Sequence, residues 1–289
     1  MKFFLIFCLT LTLIHGKNIR FEILGSGGPE IDGRASTSYL LWIDDKAKLL
    51  IDLGSGSMLR FEQSSAATED LDAVVLTHMH IDHSADLPSF MKAGFFTNRQ
   101  NSLDIVGPYG NNYFPSIREF VEILFGKKGA YRYMQDILTS QSDSFELIPI
   151  EIAKGEKKTL RYKDFTLNFI TVHHGIVPAL ALRIDVGSKS IVISGDTNDE
   201  QNTLERFAYR ADLFIAHHAI PQETNNFAKE LHMTPSTIAN IAVKAQVKKI
   251  VLTHRMKRTK THEEETLKLI HKDFSGDVIF AEDRMKIDF

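Results

Sequence analysis

The chain has 289 residues, 43% of them hydrophobic, and its 34 basic side chains stand against 37 acidic ones for a formal net charge of −3. That size and composition describe one large or two small globular domains, and the charge balance supplies no basic field for wrapping nucleic acid. With 1 cysteine and 12 histidines, disulfide scaffolds and multi-cysteine zinc sites are excluded, so nitrogen and oxygen must hold any metal.

Residues 1–16 read MKFFLIFCLTLTLIHG, a lysine followed by an apolar run over 3–14. The run falls short of the roughly 20 residues of a membrane-spanning helix and has no amphipathic period. It has the form of a secretory h-region, so a signal peptide over 1–16 is expected, removed together with Cys8. The mature chain is then periplasmic or secreted, with no stable membrane anchor.

Short apolar stretches rich in β-branched residues, punctuated by Gly, Pro and Asp, predict strands at 19–24, 38–43, 48–52, 73–76, 103–106, 165–172, 179–186, 190–194, 213–216, 249–253 and 278–280. Helices are expected at 57–67, 86–96, 116–125, 200–209, 234–244 and 262–274. In the fifth of these Thr234 is an N-cap, with Pro235 at the first helical position. No repeat or linker interrupts 17–289, so a single domain is expected. Its aromatic-rich segment 109–144 reads either as a helical insertion overhanging a site or as satellite packing.

Chemistry concentrates in Val74-Val75-Leu76-Thr77-His78-Met79-His80-Ile81-Asp82-His83. A buried strand ends at Leu76, after which His78 and His80 point to one side of an extended segment. As the chain turns into a helix near Ser84, Asp82 and His83 reach a neighbouring point. A lone histidine here would be ordinary surface or core; clustered ligand types at a strand end suit two borderline metal ions a few ångströms apart.

This His-x-His-x-Asp-His pattern resembles the signature of the metallo-β-lactamase superfamily, and further segments resemble its ribonuclease Z-like/arylsulfatase-like branch. Leu49-Leu50-Ile51-Asp52-Leu53-Gly54 is similar to the first motif, and His173-His174 with Pro178-Ala179-Leu180-Ala181-Leu182-Arg183 to the third. Ser194-Gly195-Asp196-Thr197 and Val251-Leu252-Thr253-His254 match the fourth and the last. The segment 24–38, with Gly25, Gly27, Gly28, Asp32 and Arg34, is similar to the branch's glycine-rich start. The resemblance implies an α/β fold of four layers, αββα, and a dinuclear hydrolase with two Zn2+ per chain. His78, His80 and His174 would hold one ion, Asp82, His83 and His254 the other, and Asp196 would bridge them, with Asp52 orienting the metal loop. His174 lies four positions before Pro178, so an extra residue must be absorbed near Gly175, and His173 is the alternative ligand. Zinc is favoured because iron-loaded members carry a glutamate where this chain has His80.

Such a site implies a metal-bridging hydroxide attacking a small ester, a phosphodiester or a sulfate ester. His232 is the candidate proton donor or leaving-group stabiliser, and with His217 and Asp82 it makes up the candidate catalytic set. His218 occupies the position of a glutamate that serves tRNA processing in the branch, which, with the expected export, argues against that activity. The basic run 255–260 reads as an anionic-substrate rim or as a solvated loop. The expected partner is a small, anionic ester rather than a specific nucleic acid, and a homodimer is left open. Two other readings stand: a sulfur dioxygenase-like metal-dependent oxidoreductase, and a non-catalytic accessory protein of cofactor biosynthesis.

Overall fold

The computed structural model describes residues 17–289 apart from 140, 141 and 143, so the expected signal peptide lies outside the described residues. Strands follow in chain order as β1 (Ile19–Gly25), β2 (Ser38–Ile43), β3 (Lys46–Ile51), β4 (Ala73–Val75), β5 (Leu103–Pro108) and β6 (Leu147–Ile152). After them come β7 (Lys158–Arg161), β8 (Thr166–Val172), β9 (Ala179–Val186), β10 (Lys189–Ile193), β11 (Leu213–His217), β12 (Lys249–Thr253), β13 (Asp277–Phe280) and β14 (Met285–Asp288). They form two 7-stranded sheets, ordered β14-β1-β2-β3-β4-β5-β6 and β13-β12-β11-β10-β9-β8-β7. Both sheets share one plan: antiparallel hairpins up to β3 or β10, then a parallel run through β6 or β13.

The strands read as nearly continuous apolar runs because both of their faces are covered. Along β2, Tyr39, Leu41 and Ile43 enter the cluster between the sheets, while Leu40 and Trp42 enter an outer cluster. Along β11, Leu213 and Ile215 point between the sheets and Phe214 and Ala216 outward. Phe61, Phe90 and Val121, on helices Ser57–Ser64, Leu87–Gly94 and Ile117–Phe125, cover the first sheet. Ile238, Ile241 and Ile270, on Pro235–Lys244 and Glu263–His271, cover the second. Each such side chain contributes about 1.5–3 kcal/mol on burial. These are the four layers expected, helix, sheet, sheet, helix.

Three strands escape the sequence pattern, β6, β7 and β14, and all are sheet edges. Edges carry proline and charge that blunt further pairing: Pro149 in β6, Lys158 and Arg161 in β7, Lys286 and Asp288 in β14. The helix expected at 200–209 shrinks to Leu204–Phe207. Asp199, at φ 53°, accepts from the backbone amides of Thr203 and Leu204, so the preceding residues are spent on a turn. In 109–144, Ser116 and Glu119 form a capping box at the start of Ile117–Phe125, and Phe125, Met134 and Ile137 pack into the outer cluster of the first sheet. The head of that segment reaches the carboxyl ends of the parallel strands: Phe114 lies edge-on to His80, and Asn111 donates to the Ile176 carbonyl.

Candidate metal centre

In open α/β sheets, ligands gather beyond the carboxyl ends of the parallel strands. Here Asp52 follows β3, His78 and His80 follow β4, Asp196 follows β10, His217 ends β11 and His254 follows β12; His174 joins them from the end of β8. Asp82 and His83 sit in the one-turn helix Ile81–Ser84, which begins three residues earlier than the sequence suggested. His80 is its N-cap, so the extended segment and the helical turn aim their side chains at adjacent points.

Two groups of ligand atoms result. His78, His80, His174 and Asp196 form one, and Asp82, His83 and His254 the other; within each, all the atoms lie within 4.8 Å of one another. Asp196 joins the groups through its Oδ2, which lies 3.6 Å from His174 Nε2 and 3.9 Å from His78 Nε2 on one side. On the other side it lies 3.3 Å from His254 Nε2 and 3.8 Å from His83 Nε2. Asp82 Oδ2 stands 3.2 Å from His254 Nε2 and 3.6 Å from His83 Nε2.

The surroundings set which nitrogen of each ring faces inward. His83 donates through Nδ1 to Asp52 at 2.8 Å, and His174 through Nδ1 to the Leu231 carbonyl at 2.9 Å. In the neutral ring each Nε2 is then left bearing a lone pair, and both atoms are buried without a hydrogen-bond partner. An unpaired buried acceptor costs about 1–3 kcal/mol, which a cation between the groups relieves. Asp52 also accepts from the Thr77 amide at 2.7 Å and the Thr77 hydroxyl at 2.8 Å, and so holds the loop carrying His78. Gly54 is required by close approach: a Cβ there would lie 2.1 Å from the Asp82 carbonyl oxygen.

The carboxylates and imidazoles of the cluster shift one another's protonation. Burial opposes ionisation of Asp196, but His254, His232 and His83 and the hydrogen bond from His217 outweigh it and hold the carboxyl well below its usual range. Burial likewise disfavours the charged forms of His83 and His254, yet the surrounding carboxylates raise both, His254 strongly. In His174, burial wins and pushes the ring down to about 4. The two groups bring together carboxylate oxygens and imidazole nitrogens in a buried setting, the ligand chemistry of a borderline cation.

The structure separates the candidates that the sequence left in pairs. His174 is buried in the cluster, whereas His173 is partly exposed and lies 3.6 Å from Glu200. Gly175, at φ 58°, absorbs the extra residue in a left-handed turn. His217 and His218 diverge because strand side chains alternate. His217 lies behind Asp196, its Nδ1 2.7 Å from Oδ1 and its Nε2 3.0 Å from the Tyr39 hydroxyl. Both of its ring nitrogens are thus engaged away from the space between the groups. His218 turns outward to Thr266 and Phe280, so the position expected to hold a glutamate faces away from the ligands.

His232 caps the helix Asn226–Leu231 and brings Nδ1 to 3.9 Å from Asp196 Oδ2, buried and without a hydrogen-bond partner. Burial, with help from His254, His174 and Arg258, pushes it down to about 3. The basic run is mostly occupied: Arg255 is buried against Glu263, Glu282 and the Ala281 carbonyl, Lys260 pairs with Asp32 at 3.2 Å, and Arg258 donates to the Ala219 carbonyl. Sequence reasoning missed Tyr39 and Thr253, whose hydroxyls steady His217 at 3.0 and, through Tyr39, 3.1 Å; inside apolar strands neither carries a signal.

The family described as Anti-Pycsar protein Apyc1 matches residues 19–273. The ribonuclease Z of Methanosarcina acetivorans is 25% identical, over 93% of this chain and 98% of that protein. Among solved structures, the metallo-β-lactamase fold protein YhfI from Bacillus subtilis superposes with a TM-score of 0.74 at 23% identity, over 94% of this chain and all 100% of that one. The short form of human tRNase Z superposes with a TM-score of 0.69 at 20% identity, over 93% and 98%.

Proposed function

The chain belongs to the Anti-Pycsar protein Apyc1 family, and we propose that it is a dinuclear zinc hydrolase that cleaves a phosphodiester in a small, anionic substrate. It is a metal-dependent hydrolase of the metallo-β-lactamase superfamily, ribonuclease Z-like in sequence and fold. The observation that carries the dinuclear reading is Asp196 Oδ2, within 3.3–3.9 Å of histidine nitrogens from both ligand groups. A phosphodiester is supported by the ribonuclease Z relatives, enzymes named for cutting that bond.

His78, His80 and His174 would hold one zinc, Asp82, His83 and His254 the other, and Asp196 both. Zinc supplies Lewis acidity and a water whose pKa falls to about 7, so that a nucleophile is available at neutral pH. Asp52 and the Leu231 carbonyl keep His83 and His174 in the tautomer that presents Nε2. His217 fixes Asp196 through Oδ1 and leaves Oδ2 for the ions, which makes it a positioning residue. Asp82 serves as a ligand. His232 is the remaining polar side chain at Asp196 with an unengaged nitrogen, and its imidazole steadies a phosphoryl or leaving oxygen.

Turnover of bis(p-nitrophenyl) phosphate and p-nitrophenyl sulfate by the purified chain tests this reading. Phosphodiester hydrolysis that falls at least tenfold in His232→Ala, with zinc content unchanged, is the expected result. Sulfatase activity alone would replace the phosphodiester with a sulfate ester, and unchanged turnover in His232→Ala would remove that residue from the chemistry.

A further inference from the structure

Away from the metal centre, on the outer face of the second sheet, lies a cleft of about 850 Å³. Its walls are the turn before β7, the outward side of β8 and β9, and the segment 201–209. That volume falls within the roughly 300–1,000 Å³ of small-molecule sites. Elsewhere this face is covered by Pro235–Lys244 and Glu263–His271, but here, among the described residues, the one-turn helix Leu204–Phe207 is the helix that borders it.

On a chain of net charge −3 the lining is basic, with Lys157, Lys158, Arg183 and Arg206 against Glu156. Two of these cations are engaged. Lys158 donates to the Glu151 carbonyl at 3.3 Å, and Arg183 pairs with Asp185 at 3.0 Å and donates to the carbonyls of Phe207 and Tyr209. Among the described residues Lys157 and Arg206 have no ion-pair or side-chain hydrogen-bond partner. Tyr209, 48% exposed, lines the same cleft; the Arg210 guanidinium lies 5.3 Å from the centre of its ring and covers one face, which leaves the other for a ligand. Uncompensated cations beside an accessible ring favour a ligand that carries both a phosphate and a planar heterocycle.

We propose that this cleft is a second ligand site that takes a mononucleotide, with Lys157 and Arg206 on the phosphate and Tyr209 against the base. Thr171 in its wall lies three residues before His174, and Gln201 and Asn202 follow the loop that carries Asp196. The ligand therefore contacts, from behind, the segments that present both residues.

Equilibrium dialysis of the full chain against radiolabelled AMP tests the proposal, with adenosine and inorganic phosphate as competitors. The assay reads binding rather than turnover, and the Asp196→Asn variant separates AMP held in the cleft from any AMP held at the metal centre. The expected result is AMP binding that persists in Asp196→Asn and weakens at least tenfold in Lys157→Gln/Arg206→Gln and in Tyr209→Ala. Adenosine and phosphate, each lacking one half of the ligand, should compete at least tenfold less well than AMP. Circular dichroism and metal content matching wild type show that the cleft variants are folded. AMP binding unchanged in the double variant, abolished in Asp196→Asn, or matched by adenosine overturns the proposal.

Discussion

At the scale of single residues, the centre depends on groups that never touch the ligand space. Asp52 receives hydrogen bonds from the Thr77 amide, the Thr77 hydroxyl and His83 Nδ1. Its removal leaves every proposed ligand in place but frees the ring and the loop to reorient. Losing such an outer partner costs roughly 10–100-fold in metal affinity. Asp52→Ala is therefore expected to bind zinc that much more weakly in competition with a chromogenic chelator; affinity equal to wild type would show that the loop is rigid without it. The adjacent histidines make a sharper pair. His174→Ala should lower the zinc content measured by plasma mass spectrometry, while His173→Ala, on the exposed side of the turn, should leave it unchanged. The reverse pattern would assign the ligand to His173.

At the scale of elements, most of the centre was legible because ligand-type residues directly follow runs that can only be buried strands. Val74-Val75-Leu76 before His78 and Ile191-Val192-Ile193 before Asp196 are examples. The choice between His173 and His174 was not legible, since it turns on the left-handed conformation of Gly175. The divergence of His217 and His218 was hidden for a related reason: which face of β11 looks between the sheets depends on the second sheet being present. The edge strands β6, β7 and β14 were hidden too, because proline and charged residues interrupt their apolar pattern.

Strand β1 illustrates a cost inside an element. Glu22 is buried, accepts from Trp42 Nε1 at 2.9 Å and lies 3.8 Å from Lys286 Nζ. Burial outweighs these partners and raises its pKa above the ordinary 4.5. The folded state then binds the proton more tightly than the unfolded state, so the destabilisation is absent below pH 4.5 and grows as pH rises through the folded-state value. Glu22→Gln should raise the melting temperature at pH 7, with the gain vanishing on acidification below 4.5. A gain independent of pH, measured by thermal unfolding, would show that ionisation of Glu22 is not its source.

At the scale of the whole molecule, two sheets of the same plan pack face to face, so the carboxyl ends of both parallel runs open at one end. The first sheet brings Asp52, His78, His80, Asp82 and His83, and the second brings His174, Asp196 and His254. Neither sheet alone completes a ligand group, since each group draws on both. Metal binding is thereby coupled to the packing of the sheets, and ions bound to the folded form stabilise it by mass action.

The proposed function depends on two ions sharing Asp196. Native mass spectrometry of the zinc-reconstituted chain, beside its Asp196→Asn variant, tests it most directly. Two zinc ions per wild-type chain, and loss or marked weakening of both in the variant, are expected. A single ion in wild type, or two ions retained undiminished in Asp196→Asn, would contradict it.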